Sequence, residues 1–205
     1  MAVEIALMES LENRQLLSVP FFIQKNLVSD TAATPAAHHD ANLVNPWGLA
    51  RTSTGPWWVA NNGTGTSTAY MGDGSSIGYT VKIPGADGVA GHGKPTGIVA
   101  NKTNGFVITK GASSMPAEYV FVGEDGVISG WNIGVDANNA ISMATSTNGA
   151  IYKGVTMGVS GGNTFLYAAD FHNGAIDVFS NTFAKSTAFA GKFTDTRLPA
   201  GYAPF

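Results

Sequence analysis

Pro46-Trp47-Gly48-Leu49-Ala50, followed by Trp57-Trp58-Val59-Ala60-Asn61, is the stretch that decides the fold. A turn closes on glycine, a short apolar run follows, and a second run is rich in aromatic and β-branched side chains that suit a pleated, half-buried surface. The same order returns at Pro95-Thr96-Gly97 with Phe106-Val107-Ile108-Thr109, and again at Tyr152-Lys153-Gly154 with Leu166-Tyr167-Ala168-Ala169-Asp170. Gly48, Gly97 and Gly154 keep a period of about 50 residues, and strand-type content repeated on that length marks radially arranged β-units.

Each copy carries further strands. Ser67-Thr68-Ala69-Tyr70-Met71 runs into Gly72-Asp73-Gly74, and Glu118-Tyr119-Val120-Phe121-Val122 into Gly123-Glu124-Asp125-Gly126. Asp-Gly between strand-like runs is a hairpin signal, because glycine accepts positive φ without steric cost. Ile77 to Ile83 and Val127 to Asn132 follow as outer strands; in the third copy Ala175 to Phe179 and Ser186 to Ala190 take those places. The pattern predicts an all-β chain of about three four-stranded antiparallel blades of a β-propeller, with repeats at 44–93, 94–150 and 151–200 inside a domain spanning 21–205. Phe22 to Ser29 reads as a strand outside the repeats. Helix is expected only in a leader of residues 1–20, which is Leu-rich, charged and ends before Pro20. Trp47, Trp58, Val107, Phe121, Trp131, Tyr167 and Phe179, at repeat-related positions, are the expected core.

A six-bladed ring on this period needs about 300 residues. Three copies, with Gly201-Tyr202-Ala203-Pro204-Phe205 resembling the opening of a fourth, imply part of a longer propeller or a short form that must pair. Either leaves open blade edges free to associate.

Composition narrows the function classes. Of 205 residues, 44% are hydrophobic and 12% charged, and the net charge is −3, with Lys and Arg scattered. Nucleic-acid binding has no basic stripe to rest on. The absence of cysteine removes disulfides, thiolate metal sites and cysteine nucleophiles together. No apolar run reaches the length of a membrane-spanning helix.

Three longer stretches carry a family resemblance. Asn42-Leu43-Val44-Asn45-Pro46-Trp47-Gly48-Leu49-Ala50, Gly123-Glu124-Asp125-Gly126-Val127-Ile128-Ser129-Gly130-Trp131-Asn132 and Tyr167-Ala168-Ala169-Asp170-Phe171-His172-Asn173-Gly174 resemble a family of exported bacterial proteins related to NHL and TolB-like six-bladed propellers. Asn26 to Asp30 and Trp58 to Gly65 fit the same pattern. Glu12-Asn13-Arg14-Gln15-Leu16-Leu17 resembles the E-x-R-x-L-L segment that heads many large exported bacterial proteins. The resemblance implies a propeller and an extracellular or cell-surface location, and it brings no activity with it.

Candidate chemistry is sparse. His38-His39-Asp40 is the densest set of metal-ligand types, but neighbours on an extended chain point to opposite faces, which favours a surface loop. His92, between two glycines, reads as a turn residue. Asn61, Asn62, Asp170 and His172 fall just after the second strand of the first and third copies. In gluconolactonase-like propellers such positions hold a divalent cation, so Asn61 and Asp170 are the candidate metal ligands; the competing role is turn capping. Lys110, taken as their counterpart in the second copy, opposes a cation. Glu124-Asp125 reads as a hairpin tip. No catalytic set, nucleophile elbow or phosphate loop is spelled out. Two functions follow: a non-enzymatic propeller that binds a protein or glycan partner, and a metal-dependent hydrolase or lyase of the lactonase-like kind.

Overall fold

Strand follows strand in the computed structural model, which describes residues 24–193, 197, 199 and 201–205; no helix occurs among them. The leader predicted for residues 1–20 lies outside the described residues. Of the strand expected over Phe22 to Ser29, the described part contains β1 (Val28–Ser29), which pairs in parallel with β2 (His38–His39) ahead of the repeats.

The first copy is the four-stranded meander expected from its sequence. β3 (Pro46–Ala50), β4 (Trp57–Asn61), β5 (Thr66–Tyr70) and β6 (Ser76–Lys82) pair antiparallel in chain order. Gly74, at φ 89°, closes the turn before β6, where a side chain would also collide with the Leu27 backbone.

The second copy departs from expectation. It comprises β7 (Pro95–Ala100), β8 (Val107–Lys110), β9 (Ser113–Pro116), β10 (Tyr119–Gly123), β11 (Val127–Trp131) and β12 (Ile141–Thr145). The sheet order is β7-β10-β11-β12, while β8 and β9 form a separate two-stranded hairpin. Phe106 to Thr109 is therefore not the second strand of this sheet; that place belongs to β10. Val107, expected in the core, is 43% exposed, whereas Phe106 and Ile108 are fully buried. Strand side chains alternate between faces, so a phase error of one residue exchanges inside for outside.

The third copy is three-stranded: β13 (Tyr152–Ser160), β14 (Asn163–Asp170) and β15 (Ala175–Ser180). Its expected fourth strand, Ser186 to Ala190, does not form. Lys185 bridges Phe179 and the Ser186 amide reaches Val178, after which the chain turns. Phe189 and Phe193 fold onto Phe165 and Tyr167 instead, with Phe189 and Phe165 ring centres 4.9 Å apart.

The first strands of the three sheets lie beside one another. A Cβ on Gly48 would stand 2.6 Å from the Thr96 carbonyl oxygen and 2.8 Å from the Ile98 nitrogen; one on Gly97 would stand 2.9 Å from the Val155 nitrogen. The repeated glycine is thus what lets β3 meet β7 and β7 meet β13 backbone to backbone. The sheets stay separate and none closes on itself.

β10 and β11 are buried at every residue, because the middle sheet is covered on both faces. Tyr119 and Phe121 join Trp58, Ile98, Val81 and Trp131 in the layer toward the first sheet. Their neighbours Val120 and Val122 enter the layer toward the third, with Ile128, Tyr152, Leu166 and Phe179. The hairpin adds Phe106 and Ile108 to that second layer. Each fully buried large apolar side chain is worth about 1.5 to 3 kcal/mol. Trp47 and Tyr167 are half-buried.

Candidate binding rim

Register identifies the truly equivalent positions. Asn61 pairs with Pro46, Gly123 with Pro95 and Asp170 with Tyr152, so the second strands of the three sheets end at 61, 123 and 170. Lys110 is not among them. It sits on the hairpin and forms an ion pair with Asp136 in the loop after β11. The residues one step past the strand ends are Asn62, Glu124 and Phe171.

These meet Lys153 of β13. One Glu124 carboxylate oxygen accepts from the Asn62 amide at 2.9 Å, and the other takes the Lys153 ammonium. The Asn62 carbonyl accepts from Asn45 at 3.1 Å, and the Asn45 carbonyl accepts from the Trp47 indole at 3.1 Å. The circuit closes because the Lys153 ammonium lies 4.8 Å from the Trp47 ring centre. Phe205 and Phe171 also face that ammonium, at 5.6 and 5.9 Å. Phe205 stacks on Trp47 with ring centres 5.5 Å apart. Asn45 holds the turn into β3 at φ 49°, a left-handed conformation that Asn adopts more readily than most residues.

Electrostatics follow from this geometry. Partial burial works to raise the Glu124 carboxyl, but the Lys153 and Asn62 hydrogen bonds outweigh it and hold the group below its ordinary value. Asp125 behaves oppositely. Burial pushes its carboxyl up against the pull of backbone N–H groups, and its Oδ2 is buried without a partner.

Asn61 and Asp170 are both completely buried. Asp170 Oδ1 accepts from the Ile151 and Asn173 amides at 3.2 and 3.1 Å, and Oδ2 accepts from the Asn173 side chain at 2.7 Å. Those bonds tie the end of β14 both to the β14–β15 turn and to the residue that leads into β13. The Asn61 amide nitrogen donates to the Thr66 and Thr68 hydroxyls, and its Oδ1 has no partner. Thr68 bonds the Tyr70 hydroxyl, which donates to Asp40 at 2.8 Å. Asp40 therefore anchors the segment before β3 to the first sheet, a role the His38-His39-Asp40 cluster does not advertise. His38 and His39 are exposed, and His92 pairs with Asp87 at 2.8 Å. Among the described residues no group of three or more His, Cys, Asp or Glu side chains is arranged to hold a metal ion.

Sequence reasoning missed Lys153, Asn45 and the rim role of Trp47. The available signal was the opening turn itself, where Trp47, Thr96 and Lys153 share one repeat position while their chemistry diverges. With both Glu124 oxygens engaged, the rim holds a satisfied ion pair framed by aromatic faces.

No protein-family model matches the chain. Two curated relatives do, both uncharacterized proteins of Acanthamoeba polyphaga mimivirus. One is 28% identical over 182 residues, covering 87% of this chain and 44% of the relative. The other is 30% identical over 174 residues, covering 82% of this chain and 45% of the relative. The chain thus spans less than half the length of the curated relatives it matches. These viral relatives overturn the expected membership of a bacterial exported NHL/TolB-like family.

Proposed function

We propose that this chain supplies three consecutive blades of a β-propeller that binds a protein or glycan partner without catalysing a reaction. Separate antiparallel sheets whose first strands lie side by side support the propeller. The observation that carries the binding role is the rim around Lys153. Its charges are satisfied internally while Phe171 remains 42% exposed, leaving aromatic surface beside the polar ring. Such surface anchors partners by stacking and by excluding water.

A glycan array and a lactone-hydrolysis panel with calcium, zinc and manganese test this reading. Retention of a glycan that weakens in Phe171→Ser supports it; metal-dependent lactone turnover overturns it. The lactonase-like alternative draws on one observation, the buried unpartnered Oδ1 of Asn61, an oxygen free to face a cation.

A further inference from the structure

A second concave site lies away from the rim ion pair, between the middle and third sheets. It encloses about 350 Å³ and is floored by Ile128, Tyr152, Phe179 and Phe183, with Lys185 and the segment from Thr145 to Asn148 around its mouth. That volume falls within the range of small-molecule sites. A buried polar pair stands behind this lining. The Tyr152 hydroxyl donates to Asp177 Oδ2 at 2.9 Å, and the Lys185 ammonium donates to the same oxygen at 2.7 Å. Tyr152 is 1% and Asp177 7% exposed.

Phe183 reaches the cleft from a tight turn in which its own φ is 63°, a conformation disfavoured for a bulky side chain. The turn is fixed by the Phe183 amide donating to Ser180 and the Ser180 amide to Ala184. Backbone strain held in place by its surroundings clusters at ligand sites.

We infer that this cleft binds a neutral hydroxylated ring, a single sugar unit. Three features select that class. Lys185 and Asp177 cancel, so the site presents no net charge to a ligand. One hydrogen bond engages the ammonium, leaving donors for ligand hydroxyls. Thr145 and Thr147 are exposed and Asn148 adds an amide, while Phe179 and Phe183 give the apolar floor against which the C–H face of a sugar ring packs. The inference does not require the rim to bind anything.

The test is titration of the isotopically labelled full chain with glucose, galactose, mannose and N-acetylglucosamine, followed by amide chemical shifts. At least one sugar should shift Thr145 to Asn148 and Lys185. Lys185→Met, at a half-exposed side chain, should keep the fold by circular dichroism and weaken that binding about tenfold, the loss expected for a hydrogen bond to a charged group. Asn148→Ala should weaken it as well, and Lys102→Met, at an exposed lysine outside the cleft, should leave it unchanged. Absence of shifts with all four sugars, shifts confined to other residues, undiminished binding in Lys185→Met, or stronger binding of glucuronate or glucosamine than of glucose overturns the inference.

Discussion

Trp58 and Trp131 meet with ring centres 4.6 Å apart across the boundary between the first and middle sheets. Tyr119 flanks both, 5.3 Å from Trp58 and 6.4 Å from Trp131. This cluster is the main aromatic seam joining the two sheets. Trp131→Ala should cost about 3 to 5 kcal/mol in urea denaturation. Trp131→Phe should cost far less, because the Trp131 Nε1 is buried without a partner and its removal forfeits no hydrogen bond.

The repeated glycines should differ in tolerance. Gly48→Ala and Gly97→Ala press a methyl into neighbouring backbone and should each lose about 1 to 3 kcal/mol. Gly154→Ala meets nothing nearer than the Phe205 backbone oxygen at 3.6 Å and should lie within about 0.5 kcal/mol of the parent. Thermal unfolding of the three variants measures the contrast. Equal losses at all three would refute the packing of β3 on β7 and β7 on β13.

Neighbouring carboxylates should respond to pH with opposite sign. Glu124 is held below its ordinary 4.5 in the fold, so its stabilisation is present above that value and fades as pH falls through the lower folded value. Glu124→Gln should therefore flatten the loss of stability on acidification. Asp125 is raised above 3.8, so its contribution is fully present below 3.8 and is lost as pH rises through the folded value. Asp125→Asn should raise the melting temperature at pH 7, with the advantage vanishing below 3.8. Melting curves from pH 3 to pH 7 decide both.

Asp170→Ala should destabilise by about 1 to 3 kcal/mol, since the Ile151 and Asn173 amides lose a charged acceptor that is itself buried. The loss should be the same with and without calcium or zinc. Calorimetry showing an ion-dependent rise in melting temperature that disappears in Asp170→Ala, or in Asn61→Ala, would move the molecule to the lactonase-like reading.

The first sheet was legible almost residue by residue, because its four apolar runs are separated by short turns and follow the chain. The middle sheet was not. Phe106 to Thr109 has genuine strand propensity and forms a strand, but propensity acts locally, whereas membership of a sheet depends on a partner far along the chain. Ser186 to Ala190 failed for a related reason: Phe189 turns onto Phe165 and Tyr167 of a distant strand, a contact its local sequence does not encode. The rim was half visible. Glu124 was recognised as a hairpin tip, yet its partners lie 62 residues before and 29 after it, at Asn62 and Lys153, a separation no local pattern encodes.

The β8–β9 hairpin gives the molecule an order of disassembly. By wedging Phe106 beneath Phe183 at 5.2 Å and Ile108 into the same layer, it clasps the middle sheet to the third. Among the described residues the first sheet has no such hairpin and meets the middle sheet through the Trp58–Trp131 seam. Its outer edge is held by the Lys82 amide donating to Asn138 and the Lys82 carbonyl accepting from Ala140. Under a pulling force the first sheet should peel away as a unit, leaving the other two joined, so a chain built from related repeats would come apart in one direction only.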